Sequence, residues 1–293
     1  MLSTLWSGPG NNRRLHIVAL GLIVALACGL YLPFLGNPLV FDDRVFFSHT
    51  LFAYYATHPL GLIARAPAYF SLAFTEILFS RVEAHRILSL LLHLGCALAL
   101  YRLIYLLLRG TQGGAAAVAT GEDRSAAVCA FVGAATFAIH PAAVYGAAYL
   151  VQRSIVLATL FSLLSLLFLV RGLTRRAYSG ALWAALMYAL AVLCKEHAIL
   201  LPAVALPLAL LAKNTGFAFR LRYVAVYWAA CAPAALFVLM LMKQLVGQAY
   251  EPHVAQIAGQ IEAASGAGDV NLSWPLSAVT QAGLFFRYLA TWL

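Results

Sequence analysis

Charged residues are scarce in this chain, and their scarcity limits the classes of protein it can belong to. Only 10% of its 293 residues are Asp, Glu, Lys or Arg, whereas 63% are hydrophobic. The mean hydropathy is +0.88. A water-soluble globular domain does not need so much apolar surface, so that class is excluded. The sequence predicts an all-α, polytopic helical membrane protein.

Acidic residues are the scarcer of the two charged groups. The chain has 10 of them against 19 Lys and Arg, which gives a net charge of +9. In a soluble protein this surplus would suggest nucleic acid. In a membrane protein, the retention of basic residues on the inner side explains it more simply. We therefore expect no nucleic-acid partner. The abundance of Ala, and of Arg over Lys, suggests a bacterial source.

Cysteines are few and show no metal-binding or redox spacing, so we interpret them as small core or lipid-facing residues. They are Cys28, Cys96, Cys129, Cys194 and Cys231. A small-residue cleavage site is also missing after the first apolar run, His16 to Phe34. A signal peptide is the alternative for this run, but its length favours a first membrane helix.

Apolar runs separated by short polar stretches predict about seven to eight membrane helices. The expected domains are a cytoplasmic N-terminus at 1–14, a transmembrane domain at 15–246 and an outer loop at 247–274. A last membrane or re-entrant segment at 275–293 stops without a polar tail, so we expect the chain to be truncated. Within the transmembrane domain, 36–84 predicts a large first outer loop with interfacial helices.

The distribution of charge predicts the orientation. With the N-terminus inside, the inner side carries 11 basic and 2 acidic residues and the outer side 8 of each, so the whole net charge of +9 lies inside. The opposite orientation would violate the positive-inside rule. The predicted location is a bacterial inner membrane, with a cytoplasmic N-terminus and a periplasmic active face.

On this topology, four polar clusters reach the outer face, each at or near a helix end. They are Asp42-Asp43-Arg44, His140-Pro141, Gln152-Arg153 and Lys195-Glu196-His197. Carboxylates can act as a general base or a metal ligand, and Arg, Lys and His can bind a phosphate. Together the clusters predict chemistry on a phosphate-bearing substrate at the membrane surface.

Each cluster also has a structural alternative. The acidic pair could form a solvated turn, and His140-Pro141 could be an ordinary helix exit. The other two clusters could be a snorkelling pair and a local ion pair, and Arg65 could anchor a lipid headgroup. His85 and His93 are better explained as hydrogen-bonding groups between helices than as ligands.

The segment from His140-Pro141 through Tyr149 and Gln152-Arg153 to Phe161 carries a resemblance to a known family. It resembles the membrane half of bacterial polytopic glycosyltransferase-like proteins, which are related to the transmembrane and tetratricopeptide-repeat O-mannosyltransferases. Asn37-Pro38 to Asp43 looks like the family's acidic first-loop motif, and Leu193 to Pro202 like its Ser-Lys-Glu segment, with Cys194 replacing the Ser. The resemblance covers most of 36–205.

These proteins are similar to the GT-C superfamily, and the resemblance implies a GT-C-like fold and a polyprenyl-phosphate-linked sugar donor. The implied activity is sugar transfer to a hydroxyl of a protein Ser or Thr, or of a glycan, in contact with membrane lipid. Asp43 is the expected base, with Asp42 as its partner or as a ligand of a possible divalent metal. The residues expected to bind the donor phosphate are Arg44, Arg153, Lys195, His140 and His197, and the supporting residues are Arg65, Gln152, Glu196 and Tyr149.

Two other functions compete with the glycosyltransferase. The chain could be a transporter or flippase subunit, or a non-catalytic scaffold of the cell envelope. Transporters place ionisable residues near the middle of the membrane, often on broken helices in repeated halves. Here the charges concentrate at the ends of the apolar runs and no two halves match, which favours the enzyme.

Overall fold

The computed structural model describes residues 13–48, 51–57, 65–111, 120–212, 215–245 and 273–292. Over these residues the chain is 90% helical and contains no strand, which confirms the all-α prediction. The predicted N-terminus at 1–14 and the predicted loop at 247–274 lie outside the described residues, apart from the two positions at the edge of each.

The helices in the described ranges are numbered in chain order. The α-helices are α1 Arg13–Tyr31, α2 Asp42–Ser48, α3 Leu51–Thr57, α4 Ala66–Phe79, α5 Val82–Thr111, α6 Thr120–Ile139, α7 Ala143–Ala147, α8 Arg153–Arg175, α9 Ser179–Cys194, α10 Ala205–Leu211, α11 Phe217–Leu245 and α12 Ser273–Trp292. Between them lie the 3-10 helices Leu32–Phe34, Leu150–Gln152 and Glu196–Val204.

Long apolar helices identify a membrane-embedded protein. In the described part of the chain, 4 segments are long and apolar enough to cross a bilayer: Arg13–Phe34, Val82–Arg109, Leu150–Arg175 and Phe217–Leu241. Other apolar helices, such as Ser179–Cys194, are shorter. Four of the predicted seven to eight membrane helices are therefore supported by length and composition, and the other predicted segments in the described part of the chain do not meet both criteria.

The packing of α1, α5 and α6 uses small side chains. Ala97 of α5 and Ala130 and Ala134 of α6 are fully buried in the same cluster as Ile23 of α1. Small residues let helix backbones approach closely, which is how helices associate where lipid removes the hydrophobic driving force. The alanine-rich composition thus produces a tight three-helix contact.

Contacts along these helices show which of their ends meet. The ring of Tyr31, at the end of α1, packs on His93 of α5 with centroids 5.5 Å apart, and His93 Nε2 lies 3.0 Å from the carbonyl oxygen of Ala138, near the end of α6. Towards the opposite end, His16 of α1 pairs with Tyr101 of α5 at 2.6 Å. The end of α1, the start of α5 and the end of α6 therefore share one end of the bundle, which we call the first-loop end. The interhelix role predicted for His93 is confirmed.

Two glycines bring α8 and α9 together at the opposite end. A Cβ added to Gly180 would lie 2.4 Å from the Gly172 Cα and 2.8 Å from the Tyr223 hydroxyl, so neither helix could carry a side chain there. Farther along the same interface, the Ser165 hydroxyl donates to the carbonyl of Ala184 at 2.7 Å. Since α8 ends near this contact, its start lies at the first-loop end.

The segment after α9 is not one continuous α-helix, although the apolar run 198–211 predicts a single membrane span. Residues Glu196–Val204 form a 3-10 helix of 9 residues, longer than the usual three or four, and α10 follows. Pro202 has no N–H to offer the carbonyl of Ile199, and the Tyr188 hydroxyl donates to that carbonyl instead at 3.3 Å. The side chain of Trp228 on α11 donates to the carbonyl of Pro202 at 2.8 Å.

The chain divides into two compact units, Met1–Leu241 and Met242–Leu293. The first unit contains the helices up to α10, most of α11 and every residue of the predicted site. In the second unit, the described residues include the long helix α12, which coincides closely with the predicted last segment at 275–293.

Candidate functional site

The acidic pair lies at the start of α2, at the first-loop end. Carboxylates are favourable in the first turn of a helix because they face the positive end of its dipole. Successive residues of a helix project about 100° apart, so neighbours can have different environments. Asp43 is fully buried, with 0% exposure, whereas Asp42 is exposed. The two carboxylates therefore have different roles.

Asp43 connects α2 to the start of α8. One carboxylate oxygen accepts a hydrogen bond from the Leu150 amide at 3.1 Å and the other accepts one from the Val151 amide at 2.9 Å. Burial raises the pKa of Asp43, while these two amides and the nearby Arg86 guanidinium oppose that shift. Because both oxygens are engaged and no face is exposed, this geometry does not fit the expected role of Asp43 as base. It makes Asp43 a positioning residue.

The amide contacts of Asp43 predict a matched pair of stability effects. Asp43→Asn would present one acceptor and one NH₂ donor to two amide donors, so we expect a loss of about 1–3 kcal/mol of stability. Asp42→Asn changes an exposed side chain and should unfold like the wild type. Thermal unfolding of both variants in the same detergent provides the measurement. Equal stability of Asp43→Asn and Asp42→Asn would show that the two hydrogen bonds of Asp43 do not stabilise the fold.

Asp42 is the member of the acidic pair whose side chain is exposed. Its backbone N–H donates to the Tyr149 hydroxyl at 3.2 Å, which ties the start of α2 to the residue preceding the 3-10 helix Leu150–Gln152. Tyr149 itself is buried. A fixed backbone below an exposed side chain is the arrangement that a general base at a surface site requires.

Arg86, which was not among the predicted site residues, holds the chain just before the acidic pair. Its guanidinium donates to the carbonyls of Leu35 at 2.6 Å and Pro38 at 2.9 Å, and also to the carbonyl of Asn37. The backbone that leads into α2 is thus fixed to the start of α5. A charged residue inside an apolar helix is a signal for such a role, because it is costly unless it is paired.

Arg153 is buried in a cage of polar groups from α4 and α5, and its side chain has 0% exposure. It donates to the Ser89 hydroxyl at 3.1 Å, the Ser71 carbonyl at 3.1 Å and the Thr75 hydroxyl at 3.2 Å. It also donates to the His85 carbonyl at 2.8 Å. Its expected role in binding the donor phosphate does not fit this geometry, because the guanidinium is occupied by the protein. Arg153 instead joins three helices.

His85 extends this cage to the surface. Its Nε2 lies 2.8 Å from a Glu76 carboxylate oxygen on α4, and its Nδ1 lies 3.4 Å from the Arg153 guanidinium. A neutral ring that donates from Nε2 and accepts at Nδ1 satisfies both contacts. The predicted role of His85 as a hydrogen-bonding group between helices is confirmed.

A second group at this end joins Arg65, before α4, to the Lys195-Glu196 segment after α9. Arg65 and Glu196 form an ion pair at 2.7 Å, and Lys195 lies 3.7 Å from the same carboxylate. Arg65 also donates to the Tyr69 hydroxyl at 3.5 Å. Two cations face one carboxylate, which leaves one positive charge in excess (2 − 1 = +1). We call Arg65, Lys195 and Glu196 the cationic cluster.

The protonation of the cationic cluster follows from burial and pairing. Burial alone would raise the pKa of Glu196, but the hydrogen bond from Arg65 and the two neighbouring cations hold it below its usual value. Burial and the charge of Arg65 lower the pKa of Lys195. Partial burial likewise lowers the pKa of the adjacent His197, whose side chain still reaches the solvent. Pairing therefore favours the charged forms of Arg65 and Glu196, and Lys195 is more easily deprotonated than an ordinary lysine.

Two other residues expected at the site, Arg44 and His140, make hydrogen bonds to residues close to them in the sequence. The Arg44 Nε donates to the Leu39 carbonyl at 2.9 Å, and His140 Nδ1 accepts from the Ala142 amide at 3.2 Å, a contact within its own turn. The side chains of His140 and His197 are exposed. Gln152 Nε2, in contrast, donates to the hydroxyl of Tyr145 at 3.1 Å, near the acidic pair.

Tyr69 links the acidic pair to the cationic cluster. Its hydroxyl accepts from Arg65, and its ring packs on the buried pair Leu72 and Leu150. The amide of Leu150 is one of the two that Asp43 binds. The structure therefore brings the first, third and fourth predicted clusters into one connected region, built around α4 and the start of α8.

The fold and this region define a helical, membrane-embedded protein with a polar site at one end of its bundle. The chain matches no family model, no curated protein and no solved structure. Among the described residues, no group of three or more His, Cys, Asp or Glu could hold a metal ion.

Proposed function

We propose that the protein is a GT-C-type membrane glycosyltransferase, which moves a sugar from a polyprenyl-phosphate-linked donor to a hydroxyl acceptor. The observation that carries the proposal is the pairing of an exposed, backbone-anchored carboxylate, Asp42, with a half-buried cluster that has one positive charge in excess. A base and an anion site at one end of a membrane bundle match a reaction between a lipid-borne phosphate and an alcohol.

The proposed reaction is a displacement at the anomeric carbon. The acceptor hydroxyl gives its proton to Asp42, and its oxygen forms the new bond to the anomeric carbon. The bond from that carbon to the phosphate oxygen breaks, and its electron pair leaves with the polyprenyl phosphate. The phosphate gains negative charge in this step, so Lys195 and Arg65 stabilise it as it departs.

The membrane arrangement follows from the same proposal. We propose that the first-loop end faces the outside of a bacterial inner membrane and that the N-terminus is cytoplasmic, as the charge distribution predicts. In this arrangement α6, α9 and the segment 198–211 cross the bilayer beside the four longer helices. The polyprenyl tail of the donor would lie in lipid next to the bundle, with its phosphate at the level of the cationic cluster.

Sugar transfer in membranes tests the function directly. Membranes from cells producing the full-length protein, and from cells lacking it, would be supplied with polyprenyl-phosphate sugars labelled in the sugar. Label that enters protein or glycan only with the first membranes supports the proposal. Label that crosses the bilayer still attached to its lipid would instead indicate a flippase, and a folded protein that leaves every donor untouched would indicate a scaffold.

Lys195 should set the alkaline limit of the reaction. Its charged form is needed to hold the phosphate, and its lowered pKa means that this charge is lost at a lower pH than for an ordinary lysine. Activity of the wild type should therefore fall as pH rises through that lowered pKa. Lys195→Arg keeps its charge and should move the fall to higher pH.

Transfer rates measured from neutral pH up to the ordinary pKa of a lysine, about 10.4, give the two profiles. Arg81→Met, which removes an exposed cation near the start of α5, is the matched control and should keep the wild-type profile. If Lys195→Arg and the wild type lose activity at the same pH, the phosphate is not held by Lys195.

A further inference from the structure

Three aromatic rings form a surface next to Asp42. The rings of Tyr145 and Tyr149 have centroids 5.5 Å apart, and those of Phe41 and Tyr149 have centroids 6.0 Å apart. Tyr149 is the buried middle member, while Phe41 is 80% exposed and Tyr145 is 56% exposed. We call Phe41, Tyr145 and Tyr149 the aromatic ledge.

Polar groups border the aromatic ledge on the side of the site. The hydroxyl of Tyr149 accepts from the Asp42 amide at 3.2 Å, so the Asp42 carboxylate begins directly beside the ring. The Gln152 side chain is fixed by its bond to the Tyr145 hydroxyl at 3.1 Å. That bond uses only the amide nitrogen, so the Gln152 amide oxygen takes no part in it.

The backbone of Phe41, one of the ledge residues, is strained. Phe41 has φ of 48°, in the left-handed region that bulky residues rarely occupy. Such a conformation costs on the order of 1–3 kcal/mol, and it persists where surrounding contacts over-determine it, as they often do at functional sites. Here Arg86 fixes the chain before Phe41 and Asp43 fixes the chain after it.

The exposed ring of Tyr145, which packs edge to face on Tyr149 and lies near a carboxylate and an amide, is chemically matched to a pyranose ring. The C–H bonds on one face of a hexose are weakly positive and pack on the negative face of an aromatic ring. Its hydroxyls then point sideways, where a carboxylate and an amide oxygen can accept from them. An extended peptide would instead pair with the edge of a strand, and the described part of the chain contains no strand.

We propose that the aromatic ledge is the acceptor subsite and that the acceptor is a carbohydrate, with one hexose ring stacked on the exposed ring of Tyr145 and its reacting hydroxyl at Asp42. This inference rests on the proposed function for the identity of the reaction, but sugar binding by the ledge does not depend on transfer. It narrows the open choice between protein and glycan acceptors to a glycan.

Binding is tested without turnover by saturation-transfer NMR on the full-length protein in detergent. The probes are the methyl glucopyranosides and galactopyranosides, in both anomers, with sorbitol as a polyol that has no ring. The wild type should transfer saturation to the ring C–H protons of at least one glycoside, and not to sorbitol. Tyr145→Ala should lose this signal, while Val144→Ala, an exposed neighbour of similar position, should keep it.

A second measurement separates stacking from folding. With a glycan acceptor, Tyr145→Ala should raise KM about fivefold to tenfold with a small change in kcat, and Tyr145→Phe, which keeps the ring, should recover most of that loss. An Asp42→Asn variant should still bind the glycosides although its transfer is lost.

The outcomes distinguish the two proposals. Glycoside binding by a protein that transfers no sugar would overturn the glycosyltransferase and leave the subsite standing. Transfer to a Ser- or Thr-containing peptide that Tyr145→Ala leaves unchanged would overturn the subsite and leave the enzyme standing. Equal glycoside signals from the wild type and Tyr145→Ala would assign the ledge to the lipid interface.

Discussion

Asp42→Asn is expected to lower the rate of sugar transfer by about 10²–10⁴-fold, the usual contribution of a general base. The substitution keeps the shape of the side chain and the bond from its backbone amide to Tyr149. It removes the negative charge of the side chain and, with it, the ability to accept a proton. Single-turnover transfer with a saturating labelled donor would measure the effect on the chemical step, free of changes in binding.

The control for this variant is Glu83→Gln, which neutralises an exposed carboxylate in the first turn of α5 at the same end of the bundle. It should transfer sugar at the wild-type rate. An Asp42→Asn protein that stays active, together with a folded Asp43→Asn protein that does not, would return the role of base to the buried carboxylate.

Arg153→Met should destabilise the protein more than Asp43→Asn does. The arginine makes charge-assisted hydrogen bonds to α4 and α5 from a fully buried position, and methionine can make none of them. Without the guanidinium, several buried carbonyl and hydroxyl groups lose their partner, at a cost of about 1–3 kcal/mol for each group. We expect a large fall in thermal stability, visible as a lower midpoint in detergent and a lower yield of folded protein.

Arg153→Lys refines this test because it keeps the charge and loses the planar fork of donors. It should recover only part of the stability. Arg124→Met, which removes an exposed arginine of α6, should unfold like the wild type. If Arg153→Met were as stable as Arg124→Met but could no longer bind donor, Arg153 would be a phosphate ligand and not a structural residue.

Much of the helical framework was predictable because apolar runs leave a helix few alternatives in a membrane. The run from His85 to Leu108 predicts the core of α5, and the run from Tyr149 to Val170 predicts α8, each to within a few residues. The segment after α9 was not predicted correctly in detail. Its composition is that of an apolar helix, and composition does not distinguish a 3-10 helix from an α-helix.

The sequence predicted which residues lie together at the site better than it predicted what each of them does. Asp42 and Asp43 are identical in type and adjacent in sequence, so only the contact of Asp43 with the amides of Leu150 and Val151 decides which carboxylate is buried. Those amides lie far along the chain from the acidic pair. Arg153 likewise looks like a surface cation in sequence, because the polar cage that encloses it comes from two other helices.

The 3-10 helix Glu196–Val204 determines how far the cationic cluster lies from the start of α10. Its residues rise about 2.0 Å each, so nine of them cover about 18 Å, whereas α-helical residues would cover only about 13.5 Å. Glu196 therefore stands about 4.5 Å farther from α10 than an ordinary helix would place it. This extra length lies between α10 and the carboxylate that pairs with Arg65 at 2.7 Å, so the pitch of one short segment affects where that ion pair forms.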